Sequence, residues 1–448
     1  MLFKLRVLIR YLTTRYFRNF KTREQLLAFQ ERKIQAHLKF VLKNSPFYRS
    51  WFGVLSPTAY RSLPFLDKKI MMENFSLLNT VGIDRDEALK TAFTAENTRD
   101  FTPTLNGVTV GLSSGTSGNR GLFLVSDAER ARHAGTILAK VLPYGITHRY
   151  QVAFFMRANS NLYTASQSSK LEFKFFDLLA PLDRHLEVLA HWQADLVFAP
   201  PSMLLILARA VREKKLVLNA MKIYAIAEAL DPLDEAVLVK SFGQRVHQVY
   251  QCTEGFLAAT CKEGTLHLNE DCVQIEPFWL DSEKTKFMPI ITDFTRTSQP
   301  MIRYRLNDIL TIRKDPCPCG SVFQALESIE GRADDLIYFE ALNKAKVRIA
   351  VFPDFLRRAV IQAHPAVEEY LIRQTQPNTL AVSLQCPGEL RAVAEAAVVA
   401  EINSLAESLN ALQPIVLFSS EFPALMGKKL RRIVQESSEL REAASSAG

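Results

Sequence analysis

The 448-residue sequence is poor in cysteine, tryptophan and glycine, with six, three and seventeen respectively. So few cysteines in so long a chain exclude the disulfide framework of a small secreted domain. No apolar run approaches the roughly eighteen residues of a membrane-spanning helix, so none is expected. Internal repeats and low-complexity tracts are also missing. No Gly-Lys-Ser or Gly-Lys-Thr triplet occurs, which excludes a Walker-type phosphate loop. No acidic residue precedes Glu24, whereas Lys4, Arg6, Arg10, Arg15, Arg18, Lys21 and Arg23 all do.

What is present is the composition of a folded globular protein, 48% hydrophobic and 23% charged. The length suggests two or three domains. The formal net charge of +8 suits an anionic ligand or a membrane surface and says nothing about fold. In Met1–Phe20, Leu5, Leu8, Ile9, Leu12 and Tyr16 fall at helical spacing among the basic residues. Such a basic amphipathic helix either lies on an anionic membrane or docks on its own domain. Arginines interrupt the apolar stretch, which argues against a cleaved signal peptide.

Residues 111–121 contain four glycines and four hydroxyl residues. Glycine lets backbone N–H groups turn towards an anion, and hydroxyls add donors. Val108–Val110 reads as a strand before this stretch and Leu122–Val125 as one after it, with a helix only from Ser126 or Asp127. It is therefore either a phosphate loop carried by a hairpin or a flexible turn. Apolar runs at 151–156, 196–199, 222–226 and 245–250 then alternate with helical stretches, which argues for a parallel α/β sheet. Ligands in such sheets sit beyond the carboxyl ends of the strands.

Two strand ends carry chemistry: Ala227-Glu228-Ala229, and Tyr250 to Gly255 with Thr253-Glu254. An acid following a hydroxyl there can hold Mg²⁺ or simply cap a turn. Asp308 suits a ribose diol, since a carboxylate accepts from both hydroxyls, or belongs to an exposed turn. After Gly331-Arg-Ala-Asp-Asp the texture becomes that of a small α+β domain, and Gly427-Lys428 near its end is a mobile cation or a basic turn. Cys261, His267, Cys317 and Cys319 offer three thiolates and an imidazole, enough to close a tetrahedral zinc shell. Cys272 is an alternative ligand, and free cysteines beside a surface histidine are the alternative to a metal.

Taken in order over residues 113–432, these stretches resemble the adenylate-forming superfamily of acyl-CoA ligases, adenylation domains and luciferases. Cys317-Pro-Cys-Gly before Gly331-Arg-Ala-Asp-Asp, and Asn-Ser-Pro-Phe-Tyr at 44–48, point to the phenylacetate-CoA ligase branch and the related deazaflavin-coenzyme adenylylating synthetases. The resemblance implies an α/β fold: a large N-terminal domain, 1–332, with mixed and parallel sheets and a helical extension at 1–45. A small mobile α+β domain, 333–448, would follow. It implies ATP and Mg²⁺ as cofactors and assigns nucleotide binding to Ser113, Ser114, Gly115, Thr116, Ser117, Gly118 and Arg120 in the loop. Ala227 and Glu228 would line the adenine, Tyr250 would stack near it, and Asp308 and Arg332 would complete the site. Thr253 would touch the α-phosphate, Glu254 would hold Mg²⁺, Asp334 would be the hinge, and Lys428 would bridge the attacking carboxylate and the phosphate. The zinc reading at Cys261, His267, Cys317 and Cys319 gains support from the same branch. Arg120 stands where the family usually has Lys, and Asn307 where it usually has Gly.

The implied reaction activates a carboxylic acid, aromatic acids being favoured, to an acyl-adenylate with release of pyrophosphate. The acyl group then passes to a thiol, CoA foremost. Transfer of AMP to a hydroxyl substrate and an inactive membrane scaffold are the other readings. The expected setting is cytoplasmic, with peripheral contact at the inner membrane face through residues 1–23 as the one membrane option, and no nucleic acid partner. Lys428→Ala should abolish acyl-adenylate formation while leaving ATP binding nearly intact, a loss of about 3 kcal/mol or more in the transition state. Full pyrophosphate exchange in that variant would remove Lys428 from the chemistry.

Overall fold

A computed structural model describes residues 2–113, 121–156, 168–343, 347–419, 422 and 431–437. The chain divides into two compact units, Met1–Leu306 with Thr311–Ser328, and Asn307–Leu310 with Ile329–Gly448.

In the first unit, the strand–helix alternation read from the sequence produces a parallel sheet. Its strands run Leu171–Asp177, Tyr150–Met156, Leu196–Ala199, Lys222–Ile226 and Val246–Cys252 across the sheet. Successive side chains on a strand point to opposite faces. Phe154 accordingly joins one core with Phe198 and Tyr224, while Phe155 joins another with Phe176 and Leu204. Both faces are thus covered, as a parallel sheet requires. The helices Leu182–His191 and Pro201–Arg212 lie on the Phe155 side, and Asp127–Val141 on the Phe154 side.

Beyond Val246–Cys252 the sheet turns antiparallel through Gly255–Thr260 and Leu266–Leu268. Ala325–Arg332, Asp308–Ile312, Lys286–Asp293 and Val273–Trp279 complete the path, and Met301–Arg305 pairs beside it, giving twelve strands among the described residues. The parallel reading therefore holds for the first half of the sheet only. The connections after Cys252 permit hairpins, and among the described residues none of those between the strands of this sheet holds a helix.

The second unit is α+β. Its sheet runs Ile415–Ser419, Thr379–Gln385, Glu369–Gln376, Ile433–Gln435, and the helices Pro353–Ala363 and Arg391–Ser408 supply Val360, Ala394 and Val398 to its core. Among the described residues, no helix is long and apolar enough to cross a membrane.

Candidate active site

The stem of the Gly/Ser loop is an antiparallel hairpin of Val108–Leu112 and Leu122–Ser126. Its first glycine serves packing. Gly111 faces Phe123, and a Cβ there would come within 2.2 Å of the ring. The loop is closed at its base, where Ser113 N donates to Gly121 O and Gly121 N donates to Ser113 Oγ, each at 2.7 Å. The Lys68 ammonium also donates to Ser113 Oγ, at 3.3 Å. Residues 114–120, with candidates Ser114, Gly115, Thr116, Ser117, Gly118 and Arg120, lie outside the described residues, as does Lys428.

Ser126 caps the following helix through a capping box with Glu129. Glu129 is 3% exposed and does more than cap. Its Oε2 accepts from Ser126 N at 2.8 Å, from Ser126 Oγ at 2.6 Å and from the Ser298 hydroxyl. Its Oε1 accepts from Thr297 N at 2.5 Å and Ser298 N at 2.9 Å. Burial pushes its pKa up, but the Arg296 guanidinium and the bonds from Ser126 and Ser298 outweigh that and hold the carboxyl below its ordinary value.

The segment that satisfies Glu129 also holds the loop stem. Gln299 is fully buried; its amide accepts from Leu124 N at 2.9 Å and donates to Leu122 O at 3.1 Å, substituting for a strand partner. Arg296 donates to Leu124 O at 3.2 Å and to Thr253 O at 2.8 Å. One guanidinium thus ties the stem of the Gly/Ser loop to the Thr253-Glu254 strand end.

At that end, Glu254 Oε2 accepts from the Thr253 hydroxyl at 2.8 Å and Oε1 from the Tyr304 hydroxyl at 3.3 Å. Burial, followed by the nearby Glu254 charge, raises the Tyr304 pKa well above its ordinary value, so the phenol stays a donor. Tyr304 is placed by Met301–Arg305, and that strand is stitched to the segment before Lys68, with Leu66 N donating to Arg303 O at 2.9 Å and Arg305 N to Leu66 O at 2.8 Å. Tyr250 is buried on Val246–Cys252. Ala227, just beyond Lys222–Ile226, has a left-handed φ of 64°, a conformation unfavourable for a residue with a Cβ. Glu228 accepts from Ser202 N at 3.1 Å and from the Ser202 hydroxyl at 3.2 Å, bracing the start of the helix Pro201–Arg212.

In the second unit, Arg332 Nε lies 3.8 Å from Asp308 Oδ1. The Asn307 amide donates to Asp334 Oδ2 at 2.6 Å, and Ala333 N donates to Asn307 O at 2.6 Å.

Cys261, His267, Cys317 and Cys319 converge, with their four ligand atoms all within 4.8 Å of one another. Gly264, at φ 84°, turns the hairpin between Cys261 and His267, and Gly320, at φ 75°, turns the Cys317–Cys319 knuckle. Cys261 Sγ and Cys317 Sγ are 3.7 Å apart, too far for a disulfide. Cys272 stands away from the cluster, its Sγ 3.2 Å from Arg10 Nη2, which removes it as the alternative ligand.

No family model and no curated protein matches the sequence. Solved structures do match. A 2-hydroxyisobutyryl-CoA ligase in the postadenylation state, bound to 2-HIB-AMP, superimposes with a TM-score of 0.67 at 18% identity over 95% of this chain and 92% of that one. The chain has the fold of the adenylate-forming ligases. An anthranilate-CoA ligase, AuaEII, bound to anthranoyl-AMP, gives a TM-score of 0.51 at 15% identity over 76% of this chain and 67% of that one. The amide bond synthetase McbA from Marinactinospora thermotolerans gives 0.51 at 16% identity over 77% and 71%. Within the adenylate-forming fold, the residues that sequence reasoning missed are Lys68, Glu129, Arg296, Gln299 and Tyr304. Only the Ser126-to-Glu129 capping box left a local signal; the others act across 43 or more residues.

Arg296→Met should destabilise the first unit by roughly 3 kcal/mol, because it strips the cation from a buried carboxylate. Glu129 has a depressed folded pKa, so its contribution is full above the unfolded carboxylate range and is lost as pH falls through the folded value. The penalty of the substitution should therefore shrink in acid. A chemical-denaturation midpoint unchanged at neutral pH would show that Arg296 does not support Glu129.

Proposed function

We propose that this chain joins a carboxylic acid to ATP, releasing pyrophosphate, and passes the resulting acyl group from the adenylate to the thiol of CoA. Aromatic acids and small hydroxy acids are the first candidates. The observation that carries this reading is the Thr253-Glu254 strand end, with its carboxylate oriented by the Thr253 and Tyr304 hydroxyls in a ligase fold. Further support comes from a similar structure: the 2-hydroxyisobutyryl-CoA ligase has also been solved with 2-HIB-AMP and CoA together, at a TM-score of 0.58 to this chain.

Attack of a carboxylate on the α-phosphate brings two anions together. Glu254 and Thr253, all-oxygen donors, suit Mg²⁺, which when bound offsets that charge. Tyr304 keeps Glu254 aimed, Arg296 fixes the Thr253 carbonyl, and Lys68 brings a cation to the stem of the phosphate loop. Asp308 would take the ribose and Lys428 would join the reacting oxygens. Acid-dependent ATP–pyrophosphate exchange over a panel of aromatic, hydroxy and fatty acids should single out one class, with the CoA thioester appearing when CoA is added. Glu254→Gln should lower the exchange rate about a hundredfold. No exchange with any acid, alongside AMP transfer to an alcohol, would overturn the reading.

The cysteine cluster is inferred to hold a structural zinc ion. Two Zn–S bonds of about 2.3 Å at a tetrahedral angle place their sulfurs about 3.8 Å apart; the Cys261–Cys317 separation is 3.7 Å. His267 Nδ1 lies 2.9 Å from Phe323 O, so that nitrogen donates and Nε2, 3.4 Å from Cys319 Sγ, is left as the ligand. Elemental analysis should find about one zinc per chain. Cys317→Ser should lose it and lower the thermal midpoint by at least about 5 °C. A zinc-free preparation of full stability would refute the site.

A further inference from the structure

The first helix, Leu2–Leu12, is docked on its own domain, yet by the opposite face from the one its leucines mark. Tyr11 is 1% exposed and Val7 packs beside it against the helix Asp127–Val141. Gly135 makes that approach possible, since a Cβ there would lie 2.5 Å from Val7 O. Arginines on and beyond the helix add further anchors. Arg10 donates to Thr136 Oγ1 at 2.7 Å, and Arg15 to Leu142 O at 2.8 Å and Pro143 O at 3.1 Å. Arg18 pairs with the buried Asp271 at 3.0 Å and Arg23 with the buried Glu270 at 2.5 Å.

With these four arginines turned inward, Leu2, Leu5, Leu8, Ile9 and Leu12 remain in solvent; Leu5 is 50% and Ile9 56% exposed. At 100° per residue these five span about 120° of the helix surface. Tyr16 and Phe17 extend the stripe, the latter 80% exposed. A surface helix ordinarily buries its apolar stripe. Lys4 and Arg6 are exposed on the same helix, Lys21 is exposed beyond it, and no acid stands before Glu24 in the sequence. A second copy laid on the stripe would set these cations against their equivalents. A lipid surface carrying negative headgroups accommodates both features, taking the apolar residues among its acyl chains and the cations at its charged boundary, with aromatic rings at the interface.

We propose that the first helix lies in the plane of an anionic bilayer, with Leu2, Leu5, Leu8, Ile9 and Leu12 inserted and Lys4, Arg6 and Lys21 at the headgroups. Cosedimentation of the full chain with phosphatidylcholine–phosphatidylserine vesicles is the test. Binding is expected, weaker at high salt and absent on pure phosphatidylcholine. Leu5→Ser/Ile9→Ser and Lys4→Glu/Arg6→Glu should each weaken it about tenfold while leaving the far-ultraviolet circular dichroism unchanged, because all four side chains are exposed. Phe17→Trp should add blue-shifted emission when anionic vesicles are present. The proposal is overturned if the intact chain ignores anionic vesicles. It is equally overturned if the serine pair binds as well as the parent, or if the stripe instead forms a dimer in vesicle-free solution that the serine pair abolishes.

Discussion

A carboxylate held out of water must be met by donors and a cation, and Glu129 sets that demand in the first unit. Its two oxygens take backbone N–H groups from Ser126, Thr297 and Ser298 and hydroxyls from Ser126 and Ser298. The backbone of the segment after Asp293 therefore has little freedom. Because that segment is fixed, Gln299 can act as a strand partner and Arg296 can reach Leu124 and Thr253 together. The loop stem and the carboxylate-bearing strand end become one rigid piece. Preorganisation of this kind is what a charge-stabilising site requires, since donors that need not move cost nothing during reaction.

Much of this architecture was legible locally. Short apolar runs with intervening helical patterns marked the parallel strands, and Ser126 or Asp127 marked a helix start. The cysteine and histidine spacing around Gly264 and Gly320 marked a cluster that the structure brings together. Asn-Ser-Pro-Phe-Tyr at 44–48 also has a physical reading. Ser45 caps the helix Pro46–Phe52, and the buried Tyr48 hydroxyl donates to Pro300 O at 2.9 Å. What was not legible acts at long range. Arg296 and Tyr304 look like ordinary residues of a β segment, and their partners lie 43 and 50 residues away. Gly111 misled in the other direction, because its glycine count towards a phosphate nest reflects the ring of Phe123.

Asn307, the departure from the usual glycine before Asp308, also acquires a reason. Its amide reaches Asp334 and its carbonyl receives Ala333 N, so the residue before Asp308 is tied to the segment around Asp334. Glycine could offer the carbonyl but not the amide. In this chain the two short motifs, 307–308 and 332–334, are fastened twice, by that amide and by the Arg332–Asp308 pair.

The N-terminal helix shows why a pattern of apolar residues does not by itself say which face is buried. The domain surface beneath it is not apolar throughout: it presents Asp271 and Glu270, both almost fully buried, and the last carbonyls of Asp127–Val141. Those groups demand donors, and a helix C-terminus favours a cation. Arg15, Arg18 and Arg23 meet that demand with geometry a leucine cannot supply. Leaving a buried carboxylate unpaired costs several kcal/mol, about as much as burying two or three leucines would recover. The N-terminal segment is thus fastened largely through its arginines, and the leucine stripe is left outward. The seven cations before Glu24 therefore divide into two groups: four arginines that bind the domain, Arg10 on the first helix and Arg15, Arg18 and Arg23 after it, and Lys4, Arg6 and Lys21, which are exposed.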